Sequence, residues 1–572
     1  MEKIWIPKNN SNESVTLTLS NSLGVDPTVA HLLAIRGVET FEEARDFFRP
    51  DLHNLHDPFL MTDMHAAVNR LSEAIHQKQN ILIYGDYDVD GTTAVTLVYS
   101  FLTEMGISCF YYIPDRYTEG YGFSFKGVDF ANEKNCSLII TLDCGVRDGQ
   151  KIDYARTMGI DVIVCDHHQP AELPKAFAVL DPKRTDCTYP YKGLSGAGVG
   201  FKLLQALCIQ QSIDTHALFN YLDLVTISIG ADIVPITGEN RILAFHGLQK
   251  LQEMQRPGVA AMLHHSGFQK PTITITDVVF ILAPRINAAG RIFSGSKAVE
   301  LLLSNSEEEA LLLSRAIEEY NATRKGLDKD ITAQAIEKIE GDSFYRESLS
   351  TVVYDNDWHK GVVGIVASRL VETYYKPTIV LVSDGHKMAG SARSIEGIDL
   401  FECLSECSEL LTQFGGHTMA AGLSFEAGNF DLFRSKFEEI IQQKLGHIRP
   451  VPSITYDAEI DFADISQKLH RIIKQFEPFG PENLSPVFLT RNVQNKKFTR
   501  TVGENNKHLK LHVCQENTPS LALEGIGFDL GKWATMLQSN GVIDLLYSIE
   551  ENHWNGKTTL QLVVKDIRES RP

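Results

Sequence analysis

Cysteine is sparse and unorganised in this chain: nine residues among 572, an odd number with no Cys-x-x-Cys spacing. That pattern argues against a disulfide framework and against a structural zinc site, and a reducing, cytoplasmic setting is the simplest expectation. No apolar run approaches the roughly 20 residues that span a bilayer, so no membrane association is expected. The opening Met-Glu-Lys-Ile-Trp-Ile-Pro lacks the charged and apolar regions of a signal peptide. Positive charge is short as well. The formal net charge of −19 argues against bulk, non-specific binding of polyanions. Internal repeats and low-complexity tracts are absent.

What remains is an ordinary globular composition, 43% hydrophobic and 22% charged. A chain of 572 residues is too long for one core, and three or four domains are expected. The acid is unevenly spread. Residues 452–572 hold 14 Lys+Arg against 15 Asp+Glu, so nearly all the excess lies in residues 1–451. Part of that excess belongs to a candidate metal site, where bound cations would offset it, and a local basic groove remains compatible with a nucleic-acid substrate.

The apolar pattern divides the chain. Residues 1–75 read as a small helical cap. Over 76–240, strands expected at 80–85, 109–113, 137–143, 160–166 and 176–181 alternate with segments of helical length such as 92–104 and 124–133, the signature of a parallel α/β sheet. Residues 241–343 are helical and end in a long charged helix that begins at the capping-box sequence Ser306-Glu307-Glu308-Glu309 and reads as a connector. A second α/β domain is expected over 344–450, with strands at 350–354 and 378–383 around a helix at 361–373. From 451 to 572 the short runs 510–513, 521–528, 544–549 and 558–564 fit a small β-barrel.

Several apolar runs end on acids. Ile81–Tyr84 leads into Gly85-Asp86-Tyr87-Asp88-Val89-Asp90-Gly91, Ser137–Leu142 reaches Asp143, Ile160–Cys165 reaches Asp166-His167-His168, and Leu222–Ile229 leads to Gly230-Ala231-Asp232. Such carboxylates are costly to bury unless paired or bound to a cation, and ligands of parallel α/β sheets bind beyond the carboxyl ends of the strands. Alternating Asp86, Asp88 and Asp90 can converge on one cation, with Gly85 and Gly91 permitting the tight path. An EF-hand loop opens similarly, but its twelfth position would be Leu97 instead of Glu, and a strand precedes it. Asp143 and Asp232 are ambiguous singly, since lone acids often cap helices. Two adjacent histidines after a strand are harder to dismiss, and Asp166 can orient them. The mixed nitrogen and oxygen set favours two divalent cations, manganese first and magnesium second, with zinc disfavoured. Two such ions hydrolyse phosphoesters, and His168 could polarise the phosphoryl oxygen or protonate the leaving group.

The segments Asp86–Gly91, Asp143, Asp166-His167-His168 and Asp232 resemble the four motifs of the DHH phosphoesterase superfamily, and Gly415-Gly416-His417-Thr418-Met419-Ala420-Ala421-Gly422 resembles the glycine-rich motif of its associated DHHA1-type domain. Further likeness in Pro284–Arg291, Trp358–Gly364, Gly390–Ser394 and Glu477–Asn483 extends over residues 30–570 and selects the RecJ family of bacterial single-strand-specific DNA exonucleases. The resemblance implies a parallel-sheet DHH catalytic domain, a long connecting helix, a second α/β domain and a C-terminal OB-fold. It implies metal ligation by Asp86, Asp88, Asp90, Asp143, His167 and Asp232, and catalysis by His168 with Asp166. Arg116, Ser391 and Arg393 match residues around a 5′ phosphate, while Arg285, Asn287 and Arg291 would grip the strand, with Gly415, Gly416 and His417 also on the substrate. Arginine suits phosphate through bidentate contacts, and Gly415-Gly416 lets backbone N–H groups approach an anion.

After Pro-Phe-Gly the chain carries Pro481-Glu482-Asn483-Leu484 where the family often has Gly-x-Gly-Asn-Pro, so this loop departs from the pattern. In the tail, Lys496, Lys497, Phe498, Arg500, Lys507, His508 and Lys510 mix basic groups with an aromatic, as single-strand binders do. The activity implied is removal of nucleotides from the 5′ end of single-stranded DNA, in repair and recombination, by a cytoplasmic monomer, with a single-strand-binding protein and a helicase as candidate partners. The alternative is a DHH phosphodiesterase or phosphatase acting on small nucleotides or short RNA. A third reading, a binding scaffold without catalysis, is disfavoured because all six candidate ligands are present.

Overall fold

The structure is a computed structural model, and it describes residues 3–570 apart from 9–11, 447, 497, 540 and 555. A five-stranded parallel sheet forms its first layer, in the order Cys109–Tyr112, Asn80–Gly85, Cys136–Leu142, Asp161–Cys165, Ala178–Leu180. Both faces are covered, which explains why these strands read as continuous apolar runs. Ile81, Ile83, Leu138, Ile140 and Ile163 face the helices Val89–Glu104, Gly196–Gln211 and Leu222–Ala231. Their neighbours Leu82, Tyr84, Ile139, Val162 and Val164 face Phe125–Glu133 and Gly149–Thr157. The alternation is that of any pleated strand.

One apolar run is of a different kind. Leu222–Ala231, read with the acid-ended strands, is an α-helix, and Asp232 is its C-terminal cap residue. Every residue from Leu222 to Gly230 is buried. A helix apolar on all sides has no 3.6-residue stripe, so its sequence resembles a buried strand.

The 35-residue helix Glu307–Gly341 starts where Ser306 Oγ accepts from Glu309 N at 3.2 Å. Its first half contributes Ala310 and Ile317 to the catalytic core. Its second half packs Ile331, Ala335 and Ile339 against Trp358, Val363 and Val380 of the next domain. That domain carries a five-stranded sheet in the order Gln413–Gly416, Ala420–Glu426, Lys387–Arg393, Thr378–Ser383, Thr351–Asp355. The connecting helix therefore sets the spacing of the two domains.

In the C-terminal domain, Phe488–Asn495 pairs with both Ile543–Trp554 and His508–Gln515. The remaining pairings link Ile543–Trp554 to Lys557–Glu569, that strand in parallel to Ala522–Gly527, and Ala522–Gly527 back to His508–Gln515. This is the pairing ring of an OB-fold.

Residues 1–75 are not one cap. Strand Ile4–Pro7 pairs with Ser453–Tyr456, and Leu19, Val29, Leu32 and Leu33 share a core with Phe462, Phe476, Phe488 and Tyr547 of the C-terminal domain. Helix Met64–His76 instead joins the catalytic core. Contacts between residues over 400 positions apart leave no trace in local periodicity. Among the described residues, no helix is long and apolar enough to cross a membrane.

Candidate metal centre

The loop after strand Asn80–Gly85 folds back so tightly that a Cβ on Gly91 would lie 2.4 Å from Asp86 O. The path therefore requires glycine at position 91. It leaves Asp86 fully buried, with Oδ1 accepting from Gly122 N at 3.3 Å and Oδ2 without any partner. Asp88 caps the helix Val89–Glu104, its Oδ1 accepting from Gly91 N at 3.1 Å. Asp90 lies in the first turn of that helix. Its two oxygens accept from Gly196 N at 2.7 Å, Ala197 N at 2.8 Å and Ser228 Oγ at 2.7 Å. The N-terminus of helix Gly196–Gln211 is thus spent on this carboxylate.

Asp143 sits at a positive φ of 60° after its strand, Asp166 after the next, and Asp232 arrives from the helix end. His167 Nε2 lies 3.1 Å from Asp143 Oδ1, 3.5 Å from Asp90 Oδ2 and 3.6 Å from Asp232 Oδ2. Asp90, His167 and Asp232 form one group of converging donor atoms, and Asp143, His167 and His168 another. Asp86 and Asp88 lie beside these groups.

The charges are out of balance. Burial first, and then neighbouring carboxylates, push Asp86, Asp88, Asp143 and Asp232 above the ordinary aspartate value. Burial lowers His167 to about 4, which leaves a neutral imidazole at pH 7. Its Nδ1 is buried without a partner among the described residues, like Asp86 Oδ2. Crowded carboxylates, a neutral imidazole and two orphaned donor atoms fit divalent cations, whose charge would relieve the repulsion.

Asp166 has a different role. Burial alone would raise it, yet Val146 N, His167 N, His168 N and His168 Nδ1 all donate to it, and it falls to about 2. Burial would lower His168, but the 2.8 Å bond to Asp166 and the surrounding carboxylates raise it instead.

These directions fix the behaviour of the metal-free protein. The raised aspartates hold protons above the ordinary aspartate range, and the raised His168 holds one above 6.5, where the unfolded chain has released them. Asp181, raised to about 7 first by burial, adds to this. Stability without cations should therefore fall as pH rises through 7. Thermal melting in a chelator should show that slope, and Mn²⁺ should abolish it.

Beside the centre lies a pocket of about 150 Å³ lined by Tyr87, Arg116, Tyr117, Lys360, Val363, Gly390 and Ser391. Arg116 stacks over Tyr87 at 4.8 Å. A Cβ on Gly364 would lie 3.0 Å from Arg393 Nη2 and 3.2 Å from Ser391 Oγ, so its absence keeps both groups clear. Arg291 Nη1 donates to Gly361 O at 3.0 Å. Burial, then Arg116 and Arg393, lower Arg291 to about 10. Among the described residues, no carboxylate forms a salt bridge with Arg116, Arg291 or Arg393. Three arginines gathered without a counter-ion describe an anion site.

The other expected substrate residues are placed differently. Arg285 is held at 2.6 Å by Glu318 of the long helix and at 2.8 Å by Ile281 O, which makes it a brace instead of a free grip. Asn287 lies half-buried on the same helix, Ala283–Ile292. Gly415 has open space at its Cα, while Gly416, at φ 146°, lies against Ala420 O. They deliver His417, whose ring is 6.2 Å from that of His168 and nearly parallel to it. In the tail, Phe498 is 80% exposed and Arg500 is exposed, but Lys510 pairs with Glu524 at 3.6 Å and His508 Nδ1 accepts from Asp529 N. Lys497 lies outside the described residues.

Sequence reasoning missed Tyr121, whose hydroxyl is 3.1 Å from His168 Nε2, and Ser228, which holds Asp90. Tyr121 carried a signal, since it stands between Gly120 and Gly122, both at positive φ. Ser228 carried none.

Family models match three segments: the DHH family N-terminal domain at residues 80–229, the DHHA1 domain at 348–443 and the RecJ OB domain at 456–566. A single-stranded-DNA-specific exonuclease RecJ of Bacillus subtilis is 37% identical over 97% of this chain and 69% of its own length. The protein so named in Salmonella typhimurium is 34% identical over 95% of this chain and 96% of its own. The solved structure of Thermus thermophilus RecJ in complex with Mn²⁺ is 26% identical and superposes with a TM-score of 0.85, covering 100% of this chain and 80% of that one.

Proposed function

The chain belongs to the RecJ family of single-stranded-DNA-specific exonucleases, and from that footing we propose that it removes nucleotides from the 5′ end of single-stranded DNA by metal-dependent phosphodiester hydrolysis. The observation that carries this reading is the juxtaposition of a crowded carboxylate–histidine centre with three arginines that lack counter-ions. One part suits hydrolysis and the other suits a terminal phosphate.

Asp86, Asp88, Asp90, Asp143, His167 and Asp232 would hold two divalent cations, manganese in preference to magnesium, which supply Lewis acidity and a water of lowered pKa. Asp166 fixes and charges His168 from its Nδ1 side, leaving Nε2 to carry a proton toward the scissile phosphate or the leaving oxygen. Tyr121 Oη, at 3.1 Å, orients that nitrogen. Arg116, Arg393, Ser391 and Lys360 would take the 5′ phosphate, Arg291 and Asn287 the strand beyond it, and Gly415, Gly416 and His417 would line the opposing wall.

The division of labour we propose follows residues 76–240 for chemistry, 241–343 as connector, 344–450 for the phosphate and 451–572 for the strand. In repair and recombination, a helicase that exposes single strands and a single-strand-binding protein that coats them are the partners such a reaction needs.

Digestion of end-labelled single-stranded and duplex DNA with Mn²⁺ tests the reading. Release should begin at the 5′ label of the single strand. Equal cleavage of duplex, release from the 3′ end, or preference for dinucleotides over long strands would count against it. With the variant Arg393→Ala, KM for a 5′-phosphorylated oligonucleotide should rise on the order of 10- to 100-fold, the loss of one charge-assisted phosphate contact. A 5′-hydroxyl substrate should change much less.

A further inference from the structure

Beyond Asp232 the chain makes a turn that its own side chains resist. Ile233 takes φ of 58°, a left-handed value that is strained for a β-branched residue. It also keeps 66% of its surface exposed, so burial does not hold it there. The restraint comes three residues later. Ile236 N donates to Pro481 O at 2.9 Å, and the fully buried Ile236 side chain packs on Gly480, where a Cβ would lie 2.4 Å from Ile236 Cγ1. From the catalytic side, Tyr191 Oη and Asn240 Nδ2 donate to Pro235 O at 3.1 and 3.0 Å.

Gly480 and Pro481 belong to the C-terminal loop that departs from the family pattern. Its Asn483 is turned inward, while Glu482 is exposed. Asn483 is 2% exposed, and its Nδ2 donates to Phe476 O and Pro478 O at 2.9 Å each. Its Oδ1 accepts from Arg36 Nε at 3.0 Å. Arg241 of the catalytic side donates to Phe476 O at 2.7 Å and Glu477 O at 3.0 Å. With Asn483 so occupied, the loop exposes the acidic Glu482 and the apolar Leu484, neither of which suits a phosphate backbone. It touches the chain four residues from a metal-ligand candidate instead.

We infer that the loop 477–484 is a latch that fixes Asp232 for cation binding, with Pro481 and Asn483 as positioning residues. The inference rests on the metal-centre reading above and deepens it. Asp232 is the ligand such a latch would matter for. Its side chain is 31% exposed, against 1% for Asp90, 3% for Asp143 and 5% for His167, so packing does not immobilise it. Without the bond to Pro481, the strained turn at Ile233 is free to relax, and the carboxylate moves with it. Residues that orient metal ligands from behind typically alter affinity about 10- to 100-fold.

The test is direct Mn²⁺ titration of the full-length protein, followed by electron paramagnetic resonance of the free ion. Asn483→Ala and Pro481→Gly should each weaken Mn²⁺ binding by about tenfold. The accompanying loss of exonuclease rate should vanish at saturating Mn²⁺, which general unfolding would not allow. Adding Ile233→Gly should restore affinity to within about threefold, because glycine takes a positive φ without an external clamp. Where Asn483→Ala does not fold, Pro481→Gly decides, since it keeps the accepting carbonyl and only loosens the loop. Unchanged Mn²⁺ binding in a folded latch variant, or no restoration by Ile233→Gly, would overturn the latch. Absence of Mn²⁺ binding by the unmutated protein would overturn the metal centre itself, and the latch with it.

Discussion

Replacing Asp88 by alanine together with His168 by alanine is expected to lower single-strand hydrolysis by at least about 10³-fold while sparing strand binding. Asp88 lies where burial and the charge of Asp90 already strain it, and His168 is the group whose hold on a proton Asp166 strengthens. Neither residue belongs to the cluster of Arg116, Arg291 and Arg393, so affinity for a 5′-phosphorylated oligonucleotide should survive. Asp88 also caps a helix, which costs about 1 kcal/mol when lost. Removing one of several mutually repelling carboxylates offsets part of that cost in the metal-free state. End-labelled digestion and fluorescence anisotropy on the same preparation separate chemistry from binding. Full retained hydrolysis would refute this assignment of the site.

Deletion of residues 452–572 is expected to destabilise the whole chain. That cut removes the partner of strand Ile4–Pro7 and strips Phe462, Phe476, Phe488 and Tyr547 from Leu19, Val29, Leu32 and Leu33. Each large apolar side chain returned to water costs about 1.5–3 kcal/mol, and a handful exceeds the roughly 5–15 kcal/mol that holds a domain together. Arg241 would also lose its acceptors at Gln475, Phe476, Glu477 and Pro478, leaving a buried guanidinium short of partners. Burial already pushes this arginine down to about 9. The truncated chain should melt at least about 10 °C lower or aggregate, read by thermal melting and gel filtration. A stable, monodisperse truncation would show that the N-terminal helices do not depend on the C-terminal domain. A loss of activity on truncation therefore cannot be credited to lost DNA contacts. Substitution of the exposed Phe498 and Arg500 is the cleaner probe of strand binding.

Much of the catalytic domain was legible because its strands are short, fully buried and closely followed by acids. Asp86, Asp88, Asp143 and the pair His167-His168 could be placed at one sheet edge from spacing alone, since parallel strands share their carboxyl ends. Asp232 stood out as a candidate while its element was misread, because a helix buried on every side lacks the stripe that distinguishes it from a strand. Arg285 shows the converse. Its place in a conspicuous motif pointed to substrate, yet Glu318, 33 positions away, occupies it. The arginines 116, 291 and 393 were visible as residues, but that no carboxylate pairs with them among the described residues could be known only once their neighbours were in place.

By itself the sequence determined the donor set, the order of the domains and the chemistry that donors of those types support. These follow from residue identity and from periodicities within about 15 residues. The tertiary structure decided which charges are balanced and which are not. It also tied the first 50 residues to the last 120 and set the OB-domain loop beside Asp232. Those outcomes depend on contacts between segments hundreds of residues apart. No local pattern encodes such pairings, because burial and electrostatics act on whatever packing brings together.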